Sequence, residues 1–413
     1  MPMDRFPQEL LKIIVDHVDC FDDHEGRQAL KSLRLVSSTF SNLAAVPLFR
    51  TVPLWIGLQS LTNLSNIAEH PSLSKYVTKI IFSPLQIRTY DNETKRSAEI
   101  LDRFEVSSNS ANEIILSNLK YTQAYGNYRR MQIALATHNQ DKKIVVRAFR
   151  LLSNLTRLEV DSSRTRIGAA ELRSAFGVMD GSELTMRGEY TIDVLLRALK
   201  DSGIKLSALV IRHSETFVNR KSPRAFGRPP PLLLKSDLDY DRISLALPEP
   251  QRFTSAVDNL EIRGLASMLE PEEEHLKAVV IRRLIELGRT LKKLDIGELG
   301  DFGLSNMCPL REIFRFITFR HLESLSLSWF NCQEQEIVEL LSHITKSIVQ
   351  VDLALVKIEG QGWSSVLTSL RQRSFKSLTS FVLTFCHDEE EFLHVERYIK
   401  KQTKTNPLEQ FES

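Results

Sequence analysis

The side chains best suited to metal chemistry lie near the end of the chain. Cys386, His387 and His394 carry the sulfur and nitrogen ligands that zinc prefers, and the two histidines lie seven residues apart. A fourth ligand is not evident in the sequence, and the H-E-x-x-H spacing of a helical zinc site is absent. We therefore expect ordinary polar or packing roles for these residues and no bound metal.

Motifs for nucleophilic or phosphate chemistry are also missing from the sequence. It has no G-x-S-x-G elbow and no phosphate loop ending in Gly-Lys-Ser/Thr. Gly297, Gly300 and Gly303 are spaced by threes, which is not the dinucleotide fingerprint. The sequence therefore predicts a protein that is not an enzyme and needs no cofactor. The enzymatic alternative is an unrecognised site within residues 85–150 or 214–250, which a pocket lined by titratable residues would favour.

Composition and charge exclude several classes of partner. The chain has 413 residues, enough for two or three domains, with 42% hydrophobic and 26% charged residues. Its net charge of only +2 predicts neither nucleic-acid nor membrane-surface binding. Cys20, Cys308, Cys332 and Cys386 are scattered and form no C-x-x-C spacing. With no signal-peptide pattern and no run of about 18 apolar residues, we expect a cytoplasmic or nuclear protein with reduced thiols.

Two amphipathic stretches near the N-terminus predict a small helical module. The first, at 6–18, has a proline at a first helical position and apolar residues three and four apart. After a polar break at 19–29, residues 30–44 repeat the pattern. A module of about forty residues cannot bury all of these side chains internally, so part of its apolar surface is expected to await a partner. The alternative is a helical cap on the rest of the chain.

These stretches resemble the F-box, the helical module by which adaptors of cullin-RING ubiquitin ligases capture substrate receptors. The family motif maps onto Phe6-Pro7-x-Glu9 and the apolar residues that follow. Residues 47–80 look like many fungal F-box proteins, where the box runs directly into repeats. The resemblance implies a three-helix F-box at 1–48. It also implies an adaptor-binding set of Phe6, Pro7, Leu10, Ile13, Ile14, Leu30, Leu33, Val36 and Phe40.

Downstream, one apolar pattern at i, i+3 and i+5 occurs nine times and predicts short strands. The i+3 and i+5 side chains share one face of a strand, and the residue at i turns in from the preceding loop. The last four intervals between first residues, 34, 31, 26 and 30, are close to the length of a leucine-rich repeat. The nine patterns begin at Phe49, Val77, Leu155, Leu206, Val257, Leu291, Leu322, Ile348 and Leu378.

Helical stretches between the strands predict a repeated strand-helix unit. They occur at 58–69, 190–201, 273–289, 333–345 and 362–372. Such units stack into a curved solenoid with one parallel sheet and outer helices, so residues 49–413 are predicted to form an irregular leucine-rich-repeat-like α/β region. The asparagine usual after the last leucine is missing, with Leu299 and Phe330 in its place, and irregular turns are therefore expected.

Two segments interrupt this repeat. Residues 85–150 form an insertion with helical patterns at 95–104, 109–124, 128–137 and 142–152. Prolines within 228–231 and 248–250 predict a long loop at 214–250. The residues after Lys401 are expected to form a loose tail.

The strand residues that alternate with the buried ones are expected on the concave face of the solenoid. From these positions we predict a mixed-charge, substrate-binding surface that consists of Glu159, Arg212, Glu261, Arg263, Asp295 and Asp352. With the F-box resemblance, the expected function is the substrate-recognition subunit of a Skp-cullin-F-box ubiquitin ligase, whose partners are the Skp adaptor, through it cullin, and an unknown protein substrate. The alternative is an interaction scaffold that acts outside ubiquitination.

Overall fold

The chain has a mixed α/β architecture in its computed structural model, as predicted. Its residues group into two compact units, one consisting mainly of residues up to Glu159 and one mainly of residues from Lys205 onward. The domain boundary predicted after residue 48 stays a prediction. The structure describes residues 7–19, 24–83, 85–87, 111–161, 184–186, 188–212, 257–263, 285, 290–297, 308–314, 319–360, 362–384 and 393–410.

Three helices begin the first unit, and they are α1 (Gln8–Asp19), α2 (His24–Leu33) and α3 (Ser38–Arg50). The predicted break at 19–29 is shorter than expected, because α2 already begins at His24. The Ser37 side-chain oxygen accepts a hydrogen bond from the Phe40 backbone N–H at 3.3 Å, which satisfies one free N–H at the start of α3. The three helices close on a core of Leu11, Val15, Leu30, Phe40 and Ala44.

The third helix passes into a strand without a connecting loop. Arg50 is the last residue of α3 and Thr51 is the first residue of β1 (Thr51–Trp55). The Arg50 carbonyl accepts hydrogen bonds from the Thr78 N–H at 3.0 Å and the Thr78 hydroxyl at 3.4 Å, which tie this junction to the approach of the next strand. Phe49, predicted to turn in from a loop, lies instead in the last turn of α3 and is half-buried.

The remaining elements alternate strands with helices. The chain continues with α4 (Leu58–Glu69), a 3-10 turn (Leu73–Tyr76), β2 (Lys79–Ser83), β3 (Leu85–Ile87), α5 (Ala111–Thr137), α6 (Gln140–Leu151) and β4 (Arg157–Asp161). Then follow β5 (Leu184–Met186), α7 (Gly188–Ser202), β6 (Leu206–Arg212), β7 (Val257–Arg263), β8 (Lys293–Gly297), β9 (Cys308–Pro309) and α8 (Leu310–Phe314). The last elements are β10 (Ser324–Ser328), β11 (Phe330–Gln333), α9 (Glu334–His343), β12 (Gln350–Ala354), β13 (Lys357–Glu359), α10 (Trp363–Arg371), β14 (Ser380–Thr384), β15 (Leu393–His394), α11 (Glu396–Ile399) and a 3-10 turn (Pro407–Gln410).

All nine strands predicted from the apolar pattern are present, and they lie side by side in chain order. Together with β15, which is antiparallel to β14, they form a mostly parallel, ten-stranded sheet in the order β1-β2-β4-β6-β7-β8-β10-β12-β14-β15. Equivalent positions are register partners, as Leu325 is with Leu294 and with Val351. Every residue of the nine patterns except Phe49 is buried. The i, i+3 and i+5 positions therefore do form the core side of each strand.

The helices also follow the predictions where the structure describes them. α4, α7, α9 and α10 match the predicted helices to within a few residues. The insertion differs, because α5 runs unbroken where two helices were predicted. Gly126 lies within it and has open space around it, and the neighbouring Tyr125 is buried, so packing outweighs the low helix propensity of glycine. The predicted helix at 95–104 and the loop at 214–250 lie outside the described residues, as does all but Ile285 of 273–289.

The turns after β10 and β12 resemble one another, so the prediction of irregular turns is wrong at these two sites. Trp329 and Leu355 follow the last residues of the two strands, and both have left-handed backbone angles, with φ of 65° and 53°. The Trp329 N–H donates to the Ala354 carbonyl at 3.0 Å, and the Leu355 N–H donates to the Thr384 carbonyl at 2.8 Å. Backbone groups therefore make the hydrogen bonds that an asparagine side chain would otherwise supply, at the cost of two strained residues.

Residues 402–410 are anchored, so the prediction of a loose tail after Lys401 is wrong for this described part of it. The Arg371 guanidinium lies 4.3 Å from the centroid of the Tyr398 ring. Its Nη1 also donates hydrogen bonds to the carbonyls of Tyr398 at 3.1 Å and Thr403 at 2.7 Å, and Leu408 is buried. A few anchoring residues in a largely polar segment are enough to hold it, and composition alone does not reveal them.

Candidate partner-binding surfaces

The first helix carries two apolar stripes, and only one of them is used inside the protein. Leu11 and Val15 face the core of the three helices and are buried. Leu10, Ile13 and Ile14 are 48%, 62% and 44% exposed. Because successive residues are about 100° apart around a helix, the exposed set lies roughly a third of a turn away from the buried set. These three side chains, the α1 surface, are accessible to a partner.

A second exposed apolar site is the turn at residues 34–36, between α2 and α3. Val36 is 53% exposed and Leu35 is 89% exposed. The turn is held by backbone hydrogen bonds, because the Leu35 N–H donates to the Ser32 carbonyl at 3.0 Å and the Val36 N–H donates to the Leu33 carbonyl at 3.1 Å. Sequence reasoning included Val36 but not Leu35, because a helical period does not say which apolar residue of a turn points outward.

The other predicted adaptor-binding residues are divided between surface and core. Phe6 lies outside the described residues, and Pro7 is exposed. Leu33 is half-buried against the helical core. Leu30 and Phe40 are inside that core, at most 3% exposed, so their assignment to the contact surface needs correction. Both side chains fill the space between the helices and support the surface without forming it.

Several charged side chains lie near these sites, and two of them are exposed cations on α2. Arg27 and Lys31 are both exposed on that helix. The Arg34 guanidinium, in the turn, lies 5.3 Å from the centroid of the Phe49 ring, a distance typical of a cation–π contact. Arg50 and Asp19 form an ion pair at 3.2 Å whose exposure limits its contribution to about 1 kcal/mol or less.

A row of polar residues crosses the sheet from β7 to β12. Glu261 is the register partner of Asp295, Asp295 of Ser326, and Ser326 of Asp352, and all four are half-buried. The Asp352 carboxylate accepts a hydrogen bond from Gln350 Nε2 at 2.7 Å. Three of the predicted residues, Glu261, Asp295 and Asp352, therefore lie in one row across neighbouring strands. Two more, Arg212 and Arg263, end β6 and β7 and are register partners.

Glu159 does not share this accessible row, which corrects its assignment as a substrate-binding residue. The residue is only 2% exposed. Lys79 Nζ lies 2.6 Å from it and Arg157 Nε lies 3.7 Å from it. Ile81 and Ser83, on the outward-alternating positions of β2, are buried too. The face is therefore covered at β2 and β4, and Glu159 is held in an internal ion pair.

The candidate metal ligands are not brought together in the parts of the chain that the structure describes. No group of three His, Cys, Asp or Glu side chains there could hold a metal ion. His394 is exposed, with Nδ1 3.9 Å from a Glu396 carboxylate oxygen. Cys386 and His387 lie outside the described residues. None of the helices in the described ranges combines the length and apolar character needed to cross a lipid bilayer.

Comparison with known proteins adds no relative to this picture. No model of a known protein family matches the chain, and a search of curated proteins finds no match.

Proposed function

We propose that this chain is a non-catalytic substrate receptor of a Skp-cullin-F-box ubiquitin ligase. Its first three helices would be the F-box that docks the Skp adaptor and, through it, cullin. The strand-helix region would form a leucine-rich-repeat-like solenoid that holds a protein substrate. The receptor acts by proximity, because holding a substrate beside a ubiquitin-charged enzyme raises its effective concentration there. Such a complex works in the cytoplasm or the nucleus.

The observation that carries the proposal is the exposure of the α1 surface together with Val36. These are positions that the F-box resemblance assigns to the adaptor, and about half of each side chain is in contact with water. Burying a leucine or isoleucine fully is worth about 1.5–3 kcal/mol, so four partly exposed side chains represent a substantial unused driving force for association. Their neighbours Leu11, Val15, Leu30 and Phe40 already fill the core, so the described part of the three helices has no interior left in which to bury them.

The proposal for the sheet rests on its regularity. Strands of equal register recur with one buried and one half-buried set of residues, and helices lie between them in the chain. Repeated strand-helix units of this kind stack into solenoids whose exposed strand positions bind partners. Asp295 and Asp352, with Glu261, are the candidates for substrate contact, together with Arg212 and Arg263.

The decisive experiment is co-purification of the full chain with a purified Skp adaptor. We expect the wild-type chain to form a complex and Leu10→Asp or Val36→Asp to lose it, because a carboxylate buried in an apolar interface without a partner costs several kcal/mol. Leu58→Asp is the matched control. Leu58 is 53% exposed at the start of α4, outside the three helices, so this variant should bind like the wild type.

The same preparation separates the two functions that share an adaptor. Cullin in the complex supports the ligase receptor, whereas adaptor binding without cullin supports a scaffold outside ubiquitination. Failure of the folded wild-type chain to bind the adaptor would reduce α1–α3 to a structural cap. Equal binding by wild type and Leu10→Asp would show that the α1 surface is not the docking site.

A further inference from the structure

The first strand of the sheet has one open side. β1 pairs with β2, and no strand in the described part of the chain pairs with the other side of β1. An open strand edge can present free backbone N–H and C=O groups, to which a strand of another chain adds. Whether β1 takes up a further strand therefore depends on what its outward backbone groups already bind.

Alternation along β1 identifies the backbone groups on its open side. The Arg50 carbonyl accepts a hydrogen bond from the Thr78 N–H at the approach to β2, so it points toward β2. In a parallel strand both backbone groups of one residue point to the same side, and those of the next residue point to the opposite side. Counted in this way from Arg50, the groups of Pro53 and Trp55 point toward the open side.

Neither of these two residues offers a free N–H at the edge. Pro53 has no N–H and is exposed, and prolines within sheets are typically found on edge strands. The Trp55 N–H donates to the Ser60 side-chain oxygen in α4 at 3.2 Å. The Trp55 carbonyl accepts a hydrogen bond from the Gly57 N–H at 2.9 Å. Both backbone groups of Trp55 are therefore already used within the chain.

The turn after β1 fixes this cap in place. A Cβ at position 57 would lie 2.5 Å from the Cζ2 atom of the Trp55 ring, so the close approach of backbone and indole requires glycine. Gly57 is also the residue before α4, and its carbonyl accepts a hydrogen bond from the Leu61 N–H at 2.9 Å. The groups that cap Trp55 thus belong to the ordered start of a helix.

We propose that Pro53 and the Ser60 cap close the sheet at β1, so that neither a second copy of this chain nor a segment of a partner adds a strand there. An added strand would find no free donor at either position, and its own acceptors there would stay unpaired. No residue assigned to the adaptor lies in β1 or α4, so this closure is independent of the proposed function. Partners would have to bind this end of the sheet through side chains.

The test restores both donors and measures self-association of the full chain by sedimentation over a range of concentrations. Pro53→Thr gives position 53 an N–H and a side chain suited to strands, and Ser60→Ala frees the Trp55 N–H. We expect this double variant to self-associate with a dissociation constant at least about tenfold below that of wild type, because each copy gains two donors.

The matched control makes the same two changes away from the edge. Pro71 is exposed in a turn, and the Ser65 hydroxyl donates a hydrogen bond to the Glu69 carboxylate at 3.0 Å on α4. Pro71→Thr with Ser65→Ala therefore also replaces one proline and removes one serine hydrogen bond. This control should self-associate no more than wild type does.

Hydrogen exchange of the Trp55 amide locates any association. In wild type this amide should be protected to the same degree at every concentration. In Pro53→Thr, Ser60→Ala it should exchange at least about tenfold faster when dilute and regain protection as the concentration rises. Circular dichroism compares the fold of each variant with that of wild type. If the double variant does not fold, each single variant is compared with wild type in the same two measurements.

Three results would overturn the closure of β1. The first is a wild-type chain whose Trp55 amide gains protection as the concentration rises, because the edge would then already pair. The second is a folded double variant that stays as monomeric as wild type. The third is an unchanged Trp55 exchange rate in Ser60→Ala, because the serine would then not cap the strand.

Discussion

The three N-terminal helices and the sheet treat their apolar residues in opposite ways. Along the sheet, the two strand positions of each apolar pattern are buried from β1 to β14. In α1–α3 and the turn between the last two, Leu10, Ile13, Ile14, Leu35 and Val36 are 44–89% exposed. Exposed apolar residues are common on any protein, but here five of them share one small helical region, three on α1 and two on the turn at 34–36.

The difference shows which region buries its own apolar side chains and which leaves some of them exposed. A strand with neighbours on both sides and helices between can bury its apolar face entirely within the chain. Three short helices enclose a core of five small and large side chains and have little further interior to offer. The burial pattern of the sheet is therefore structural, whereas the exposed residues of the helices are the ones for which we propose a partner.

The largest expected effect tests the two kinds of leucine directly. Leu353 in β12 is fully buried, so Leu353→Ala should lower the free energy of unfolding by about 2–5 kcal/mol through lost burial and the cavity left behind. Leu10→Ala removes the same atoms from a half-exposed site and should change the free energy of unfolding by about 0.5 kcal/mol or less. Urea unfolding followed by circular dichroism measures both. Equal losses would mean that Leu10 is structural and that the comparison fails.

A smaller effect is expected at the C-terminal end of the sheet, where Arg371 holds the following segment. Arg371→Ala removes two charge-assisted hydrogen bonds and the contact with the Tyr398 ring, and should cost about 1.5–3 kcal/mol locally. Hydrogen exchange of residues 396–410 should accelerate accordingly. Arg371→Lys keeps the positive charge but lacks the planar guanidinium, so its exchange rate should lie between those of wild type and Arg371→Ala. Unchanged exchange in the alanine variant would show that burial of Leu408 alone holds this segment.

The smallest effect sharpens the comparison on the helical side. Ser37→Ala removes the cap of α3 and should lower stability by about 1 kcal/mol, because the Phe40 N–H loses its hydrogen-bond acceptor. Ser37→Asp provides another hydrogen-bond acceptor at the same position, so it should keep most of the stability that Ser37→Ala loses. Thermal unfolding of the two variants beside wild type measures the difference. A loss in both variants alike would mean that the cap is not what stabilises the start of α3.

The strands were predictable from the sequence because apolar and polar residues alternate within each of them. Leu325 and Leu327 lie on one side of β10 and Ser324, Ser326 and Ser328 on the other, and this period of two survives any change in the neighbouring strands. The pattern also defines the register, since a slip of one residue would bury the serines in place of the leucines.

The accessible side of the sheet was not predictable in the same way. Glu159 and Asp352 occupy equivalent positions of their strands, yet one is buried beside Lys79 and the other is half-buried beside Gln350. What distinguishes them is the packing of segments distant in sequence, to which strand periodicity is blind. The same holds for Leu11 and Leu10, adjacent in α1, of which one fills a core and the other meets water.

The loop-free passage from α3 to β1 determines how a partner on the helices would be carried. With Arg50 and Thr51 adjacent in helix and strand, and the Arg50 carbonyl bonded to Thr78, the three helices have no tether about which to swing. Flexible linkers let a bound object sample many positions, whereas a continuous joint limits it to few. Any molecule held by the three helices would therefore keep a nearly fixed orientation relative to β1 and β2.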